Sequence, residues 1–163
     1  MILCIDLPPI DKRLDVNSGQ HNGLARAGAV KKARGLAHVL TLEVMRKHGV
    51  QRGEFCPRYV WLLTHWRGHR VDYDNRLASI KAYQDGVFRA LGVDDREVCS
   101  GVSTVVHLDK GEEKQHLSMK LLLFESLADF QNALRSNGDL LAGKKQEYFI
   151  MRTHFMEKEG CNG

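Results

Sequence analysis

Two aspartates one residue apart, Asp72 and Asp74, open the part of this chain richest in chemistry. On an extended segment the i, i+2 spacing projects both side chains from one face. Carboxylates held so close repel each other unless a proton or cation lies between them. Hard divalent cations take oxygen ligands, and Mg²⁺ is held by one or two carboxylates with water and substrate phosphate. A second acidic pair, Asp94-Asp95, follows one helix later, and a helix that packs back returns it toward the first. Between the pairs, Asp74, Ala78, Lys81 and Asp85 fall at i, i+4, i+7 and i+11, one face at about 100° per residue. An ammonium on that face would stabilise charge building on a phosphoryl oxygen or orient an attacking water. The same residues have plainer uses: helix N-capping at Asp72 or Asp74, a turn at Asp94-Asp95, and a surface ion pair between Lys81 and Asp85.

The elements that must carry these groups follow from pattern. Residues 2–7 read as a strand closed by Pro8-Pro9, which cannot continue a ladder. After a polar loop, residues 24–48 read as a helix whose apolar face is Val30, Ala33, Ala37, Leu40 and Val44, with Gly49 as its C-cap. Residues 59–65 are rich in β-formers and lead into the first acidic pair. A second helix is expected over 75–91, with Leu77, Ile80, Val87 and Leu91 inward and Gly92 ending it. Strands at 98–108 and 116–124 are expected to form a hairpin across residues 109–114. Ser126 and Asp129 suit a capping box for a short helix ending near Gly138, and one more strand is expected at 148–155. Trp61 and Trp66 fall out of phase on one strand, which places at least one in the core.

Charge is unevenly spread. Residues 1–70 hold 12 Lys/Arg against 5 Asp/Glu, whereas residues 71–163 hold 12 against 15. A basic surface beside an acidic site suits a polyanion, and nucleic acid is the commonest large one. Lys31 and Arg34, with His38, make a basic stripe on the first helix, and Arg67, Arg70 and Arg76 surround the first acidic pair. These are the candidate phosphate contacts; for the stripe, a solvated helix face is the plainer account and the one favoured from sequence. No apolar run reaches the 18–20 or so residues of a membrane span. Four cysteines without a CxxC pair argue against a zinc ribbon and for reduced thiols, hence a cytoplasmic protein. Gly138–Lys145 nearly spells a phosphate-binding loop but lacks its final Ser/Thr and follows a helix where a strand is required, so no nucleotide cofactor is expected.

The run His69-Arg70-Val71-Asp72-Tyr73-Asp74-Asn75, then Lys81 and Asp85, then Leu91-Gly92-Val93-Asp94-Asp95, resembles the RusA-type Holliday junction resolvases. That family is marked by D-x-D-N, a helix carrying Lys and Asp, and an acidic pair before the next strand. The resemblance covers about residues 2–125 and extends to the order of the elements. It implies an α+β fold, a mixed β-sheet packed with two main helices. The nuclease domain would occupy residues 1–125, and residues 126–163 would form a short C-terminal helix/strand extension. It further implies a homodimeric, bacterial or phage-encoded endodeoxyribonuclease that cuts four-way DNA junctions by paired nicks with Mg²⁺, or Mn²⁺ in its place. Carried over by motif, Asp72, Asp74 and Asp95 would bind the metal and Lys81 would be the essential lysine. The family lysine commonly sits three residues after the Asn of D-x-D-N; here that position is Ala78, and Lys81 lies one turn further on. The alternative is a branched-DNA-binding protein that keeps the fold without cleaving.

Overall fold

The computed structural model describes residues 1–14, 23–66, 73–107, 119–140 and 146–151, with side chains described for 1–14, 23–64, 78–104 and 119–136. Five strands, β1 (Ile2–Leu7), β2 (Tyr59–Trp66), β3 (Ser100–His107), β4 (Met119–Phe124) and β5 (Gln146–Met151), form one sheet in the order β1-β4-β2-β3-β5. Among the described residues three α-helices, α1 (Gly23–His48), α2 (Tyr73–Leu91) and α3 (Leu127–Leu140), complete an α+β architecture. No helix among the described residues is long and apolar enough to cross a membrane.

Alternation sets which face of the sheet is apolar. Along β1, Leu3, Ile5 and Leu7 are buried while Ile2, Cys4 and Asp6 are exposed, the period of two that a one-sided strand requires. Register carries that face across the sheet in rows: Leu3 opposite Leu123 opposite Val60, and Ile5 opposite Leu121 opposite Leu62. α1 and α2 cover these rows and close the main core. Trp61, Phe124 and Leu122 belong to a second cluster, completed by Phe130 of α3. Phe130 stacks on Tyr59 with centroids 5.4 Å apart and meets Phe124 edge-on at 5.4 Å. The Trp61 Nε1–H donates to Thr104 Oγ1 at 2.9 Å, so the indole is buried without stranding its donor.

The expected hairpin between the third and fourth strands is not formed. β4 pairs antiparallel with both β1 and β2, β3 pairs parallel with β2, and β2 therefore separates them. A short polar link suggests a hairpin locally, but β4 has apolar residues on both faces and gains most burial between two partners. β5 adds antiparallel to β3, so the segment after residue 125 contributes an edge strand to the same sheet as well as α3. At the start of α3 the Ser126 Oγ accepts from the Asp129 N–H at 3.1 Å, as the capping pattern requires.

The inward face of α1 also differs from the expected one. The fully buried residues are Ala29, Ala33, Ala37, Thr41 and Met45, a run at strict i, i+4 spacing, while Val30, Leu40 and Val44 pack at its margin. Small side chains along this line let α2 come close: a Cβ at Gly86 would overlap the Arg34 carbonyl oxygen and lie 2.9 Å from the Ala37 Cβ. This close crossing brings the polar flanks of α1 and α2 within reach of each other.

Candidate functional site

α2 is the element on which the site is built. Its inward side, with Ile80, Tyr83, Val87 and Leu91, is fixed by the core, which leaves Lys81 and Asp85 on the outer flank one turn apart. Gly92, at φ +76°, ends the helix in the left-handed region and turns the chain back. The two aspartates that follow then divide their roles. Asp94 caps the short 3-10 turn Asp95–Glu97, its Oδ1 accepting from the Arg96 N–H at 3.0 Å. Asp95 faces α2, and its Oδ2 accepts from Lys81 Nζ at 2.6 Å.

Lys81 also lies 3.1 Å from Asp85 Oδ1, and Asp85 Oδ2 accepts from Arg34 Nη2 of α1 at 2.7 Å. The result is a chain of four alternating charges, Arg34–Asp85–Lys81–Asp95, that ties α1 to α2 and α2 to the turn before β3. The hydrogen bond from Lys81 holds the Asp95 carboxyl below its ordinary value, and the same bond raises the Lys81 ammonium. Both groups are therefore charged across the neutral range. Lys81 and Asp95 remain 58% and 48% exposed, so water reaches them and the network adds little to stability.

The predicted site residues are distributed as follows. Lys81, Asp95, Lys31 and Arg34 have described side chains; Lys31 is exposed on α1 and Arg34 belongs to the charge chain. Asp74 and Arg76 lie in the first turns of α2, with side chains outside those described, and Asp72, Arg67 and Arg70 lie outside the described residues. Lys81 leans toward Asp85 and the turn that follows the helix, not back toward the helix start. Seven residues separate Asp74 from Lys81, a rise of about 10 Å along the axis. Among the described residues, no three His, Cys, Asp or Glu side chains gather as a metal site. The donor chemistry of Asp95 suits a hard cation, because Asp95 is an ionised, half-exposed carboxylate.

Two basic residues that composition left unmarked belong to the same surface. Arg26 and Arg89 line a groove with Lys31, Arg34 and His38 at the crossing of α1 and α2. The signal for Arg89 was present, since Lys81, Asp85 and Arg89 repeat at i, i+4 and i+8.

A protein of Xylella fastidiosa (strain Temecula1 / ATCC 700964), whose description reads "Uncharacterized protein", is 37% identical to this chain over 101 residues. The match covers 59% of this chain and 62% of that protein, so the chain spans less than two thirds of its relative. No family model matches the chain, and no solved structure matches it.

Proposed function

We propose that this chain is a structure-selective endodeoxyribonuclease that resolves four-way DNA junctions by paired nicks, acting in the cytoplasm of a bacterial host. The observation that carries the reading is the contact between Lys81 and Asp95, two residues singled out for one site and separated by 14 positions, at 2.6 Å. Its support from sequence is the D-x-D-N run that leads into the same helix. Asp72, Asp74 and Asp95 would hold Mg²⁺ or Mn²⁺, which when bound supplies Lewis-acid stabilisation of the phosphoryl oxygens and an activated water. Lys81 contributes a fixed positive charge near the scissile phosphate, and Asp85 holds its side chain in place. Arg67, Arg70, Arg76, Lys31 and Arg34 contact the DNA backbone. A two-fold dimer supplies two sites in matching orientation for the two strands of a junction, and Val39 and Leu42 leave apolar surface exposed on α1 for a second copy to cover.

Incubation of the pure protein with a mobile four-way junction, with and without Mg²⁺, tests the reading directly. Cleavage is expected only with the metal. Asp74→Asn is expected to abolish cutting and to leave junction binding intact or tighter, because one negative charge facing phosphate is removed. Normal cutting by Asp74→Asn would refute the metal assignment. One observation favours the second reading, a branched-DNA-binding protein without cleavage: Lys81 is held between two carboxylates that already balance its charge. Metal-independent binding with no nicks at any metal concentration would select that reading.

A further inference from the structure

The groove at the α1/α2 crossing adjoins the carboxylates through Arg34 and is larger than any one phosphate requires. It encloses about 900 Å³, and Arg26, Lys31, Arg34 and His38 of α1 line it together with Arg89 of α2. Among the described residues no carboxylate pairs with Arg26, Lys31 or Arg89; Arg34 alone is shared, with Asp85. Arg34 Nε and His38 Nδ1, one turn apart, have no hydrogen-bond partner among the described residues. Ala27 and Gly35 between them put little bulk into the groove. Such a cluster of cations is costly through mutual repulsion unless an anion is present.

The spacing identifies the anion. Arg26 and His38 are twelve residues apart on one helix, about 18 Å at 1.5 Å per residue. A single phosphate cannot meet polar groups spread over that length, whereas a run of successive phosphates along one strand can. The described residues lining the groove include no Phe, Tyr or Trp. Among those described residues no platform for stacking unpaired bases is present. We infer that this groove seats the phosphate backbone of a double-stranded DNA arm. The inference rests on the nuclease reading only in taking the arm to be that of a junction. Through Arg34 and Asp85 the bound arm lies two ion pairs from Lys81, so groove and site face one substrate.

The test is the salt dependence of binding to a plain 20-bp duplex, measured by fluorescence anisotropy in EDTA, where no cleavage occurs. Each phosphate neutralised contributes about 0.9 to the slope of log K against log salt. The variant Arg26→Ala/Lys31→Ala/Arg89→Ala is expected to lower the slope by about 2–3 and the affinity at ~0.1 M salt more than tenfold. The comparison variant Arg46→Ala/Lys47→Ala/Arg135→Ala removes the same charge from exposed positions outside the groove and is expected to change the slope by less than about 1. Circular dichroism of each variant checks that the fold is kept, and Arg26→Lys/Arg89→Lys, which keeps the charge, should keep the slope. Equal losses in the two triple variants, an unchanged slope in the groove variant, or tighter binding of single strand than duplex would overturn the inference. Duplex binding that fails in the groove variant, by a protein that never nicks a junction, would sustain the groove and refute the nuclease reading alone.

Discussion

Gly86 is the position where the smallest change should do the most damage. Its added Cβ would overlap the backbone oxygen of Arg34, and a helix carbonyl cannot turn aside as a side-chain tip does. Relief requires α1 to retreat by about 1 Å along its contact with α2 to restore ordinary separations. Overpacking of this kind costs up to about 3 kcal/mol, and exchanging a helical glycine for alanine returns about 1 kcal/mol. The net loss expected for Gly86→Ala is therefore about 2 kcal/mol, a fall in Tm of roughly 4–8 °C for a chain of this size. Gly28, on the open side of α1, has nothing within 4 Å of its added Cβ. Gly28→Ala should accordingly stabilise, by about 0.5–1 kcal/mol. Urea unfolding of the two variants beside the parent measures both. The retreat would also stretch the 2.7 Å contact between Arg34 and Asp85, so Gly86→Ala should lose activity at temperatures where it is still folded. Ala37→Gly should not rescue it, because the obstruction is the carbonyl. A Gly86→Ala protein as stable as the parent would refute this account of the crossing.

The remaining predictions follow from individual contacts. Lys81→Met should slow junction cleavage at least about tenfold, some 1.4 kcal/mol, yet change unfolding free energy by less than about 1 kcal/mol because the pair is exposed; equal rates would leave Lys81 as a surface partner only. The depressed Asp95 value gives stability that is present above the ordinary 3.8 and lost as pH falls through the lower folded value, while the raised Lys81 value loses its share only above 10.5. Carboxyl NMR should thus find Asp95 titrating below 3.8 in the parent and moving up toward it in Lys81→Met. Thr104→Val strands the buried Trp61 indole N–H and should cost about 1–3 kcal/mol in denaturant unfolding. Phe130→Ala empties the aromatic contact under α3 and should cost about 3–5 kcal/mol; a loss below about 1 would show that α3 is held elsewhere.

The sequence was most readable where one periodicity ruled. Strand β1, with clean alternation and a double proline behind it, and helix α2, with Gly92 at its end, both stand where pattern put them. The Lys81–Asp85 pair follows from i, i+4 spacing alone, whereas the turn after α2 was expected to return Asp95 toward Asp72 and Asp74, and the contact the structure describes is with Lys81. What pattern did not hold was which strand neighbours which. The link expected between the third and fourth strands, residues 109–114, is short and polar as a hairpin's would be, and competition for the middle of the sheet decides against it. The inward face of α1 was displaced for a similar reason. Valine and leucine signal burial by their hydrophobicity, but the seam against α2 selects by size, and alanine at i, i+4 spacing carries a weaker apolar signal. The division between Asp94 and Asp95, one a cap and one facing a lysine, depends on a single backbone turn that composition does not report.

The placement of β4 has a consequence for how the chain is made. β1 is synthesised before the other described strands, yet its sole described strand neighbour is β4, more than a hundred residues later. Until residue 124 has left the ribosome, Leu3, Ile5 and Leu7 lack the strand beside which they are buried, and the apolar rows of β2 are open on the same side. The β2–α2–β3 unit can associate earlier, because its parallel pair is joined through its own helix. Before residue 124 emerges, the apolar edge of β2 is open, the kind of exposed strand edge that chaperones shield. Sheet closure by so distant a segment carries a large loop entropy and belongs among the slow steps of folding. Truncation before Met119 would leave β1 without its place in the sheet.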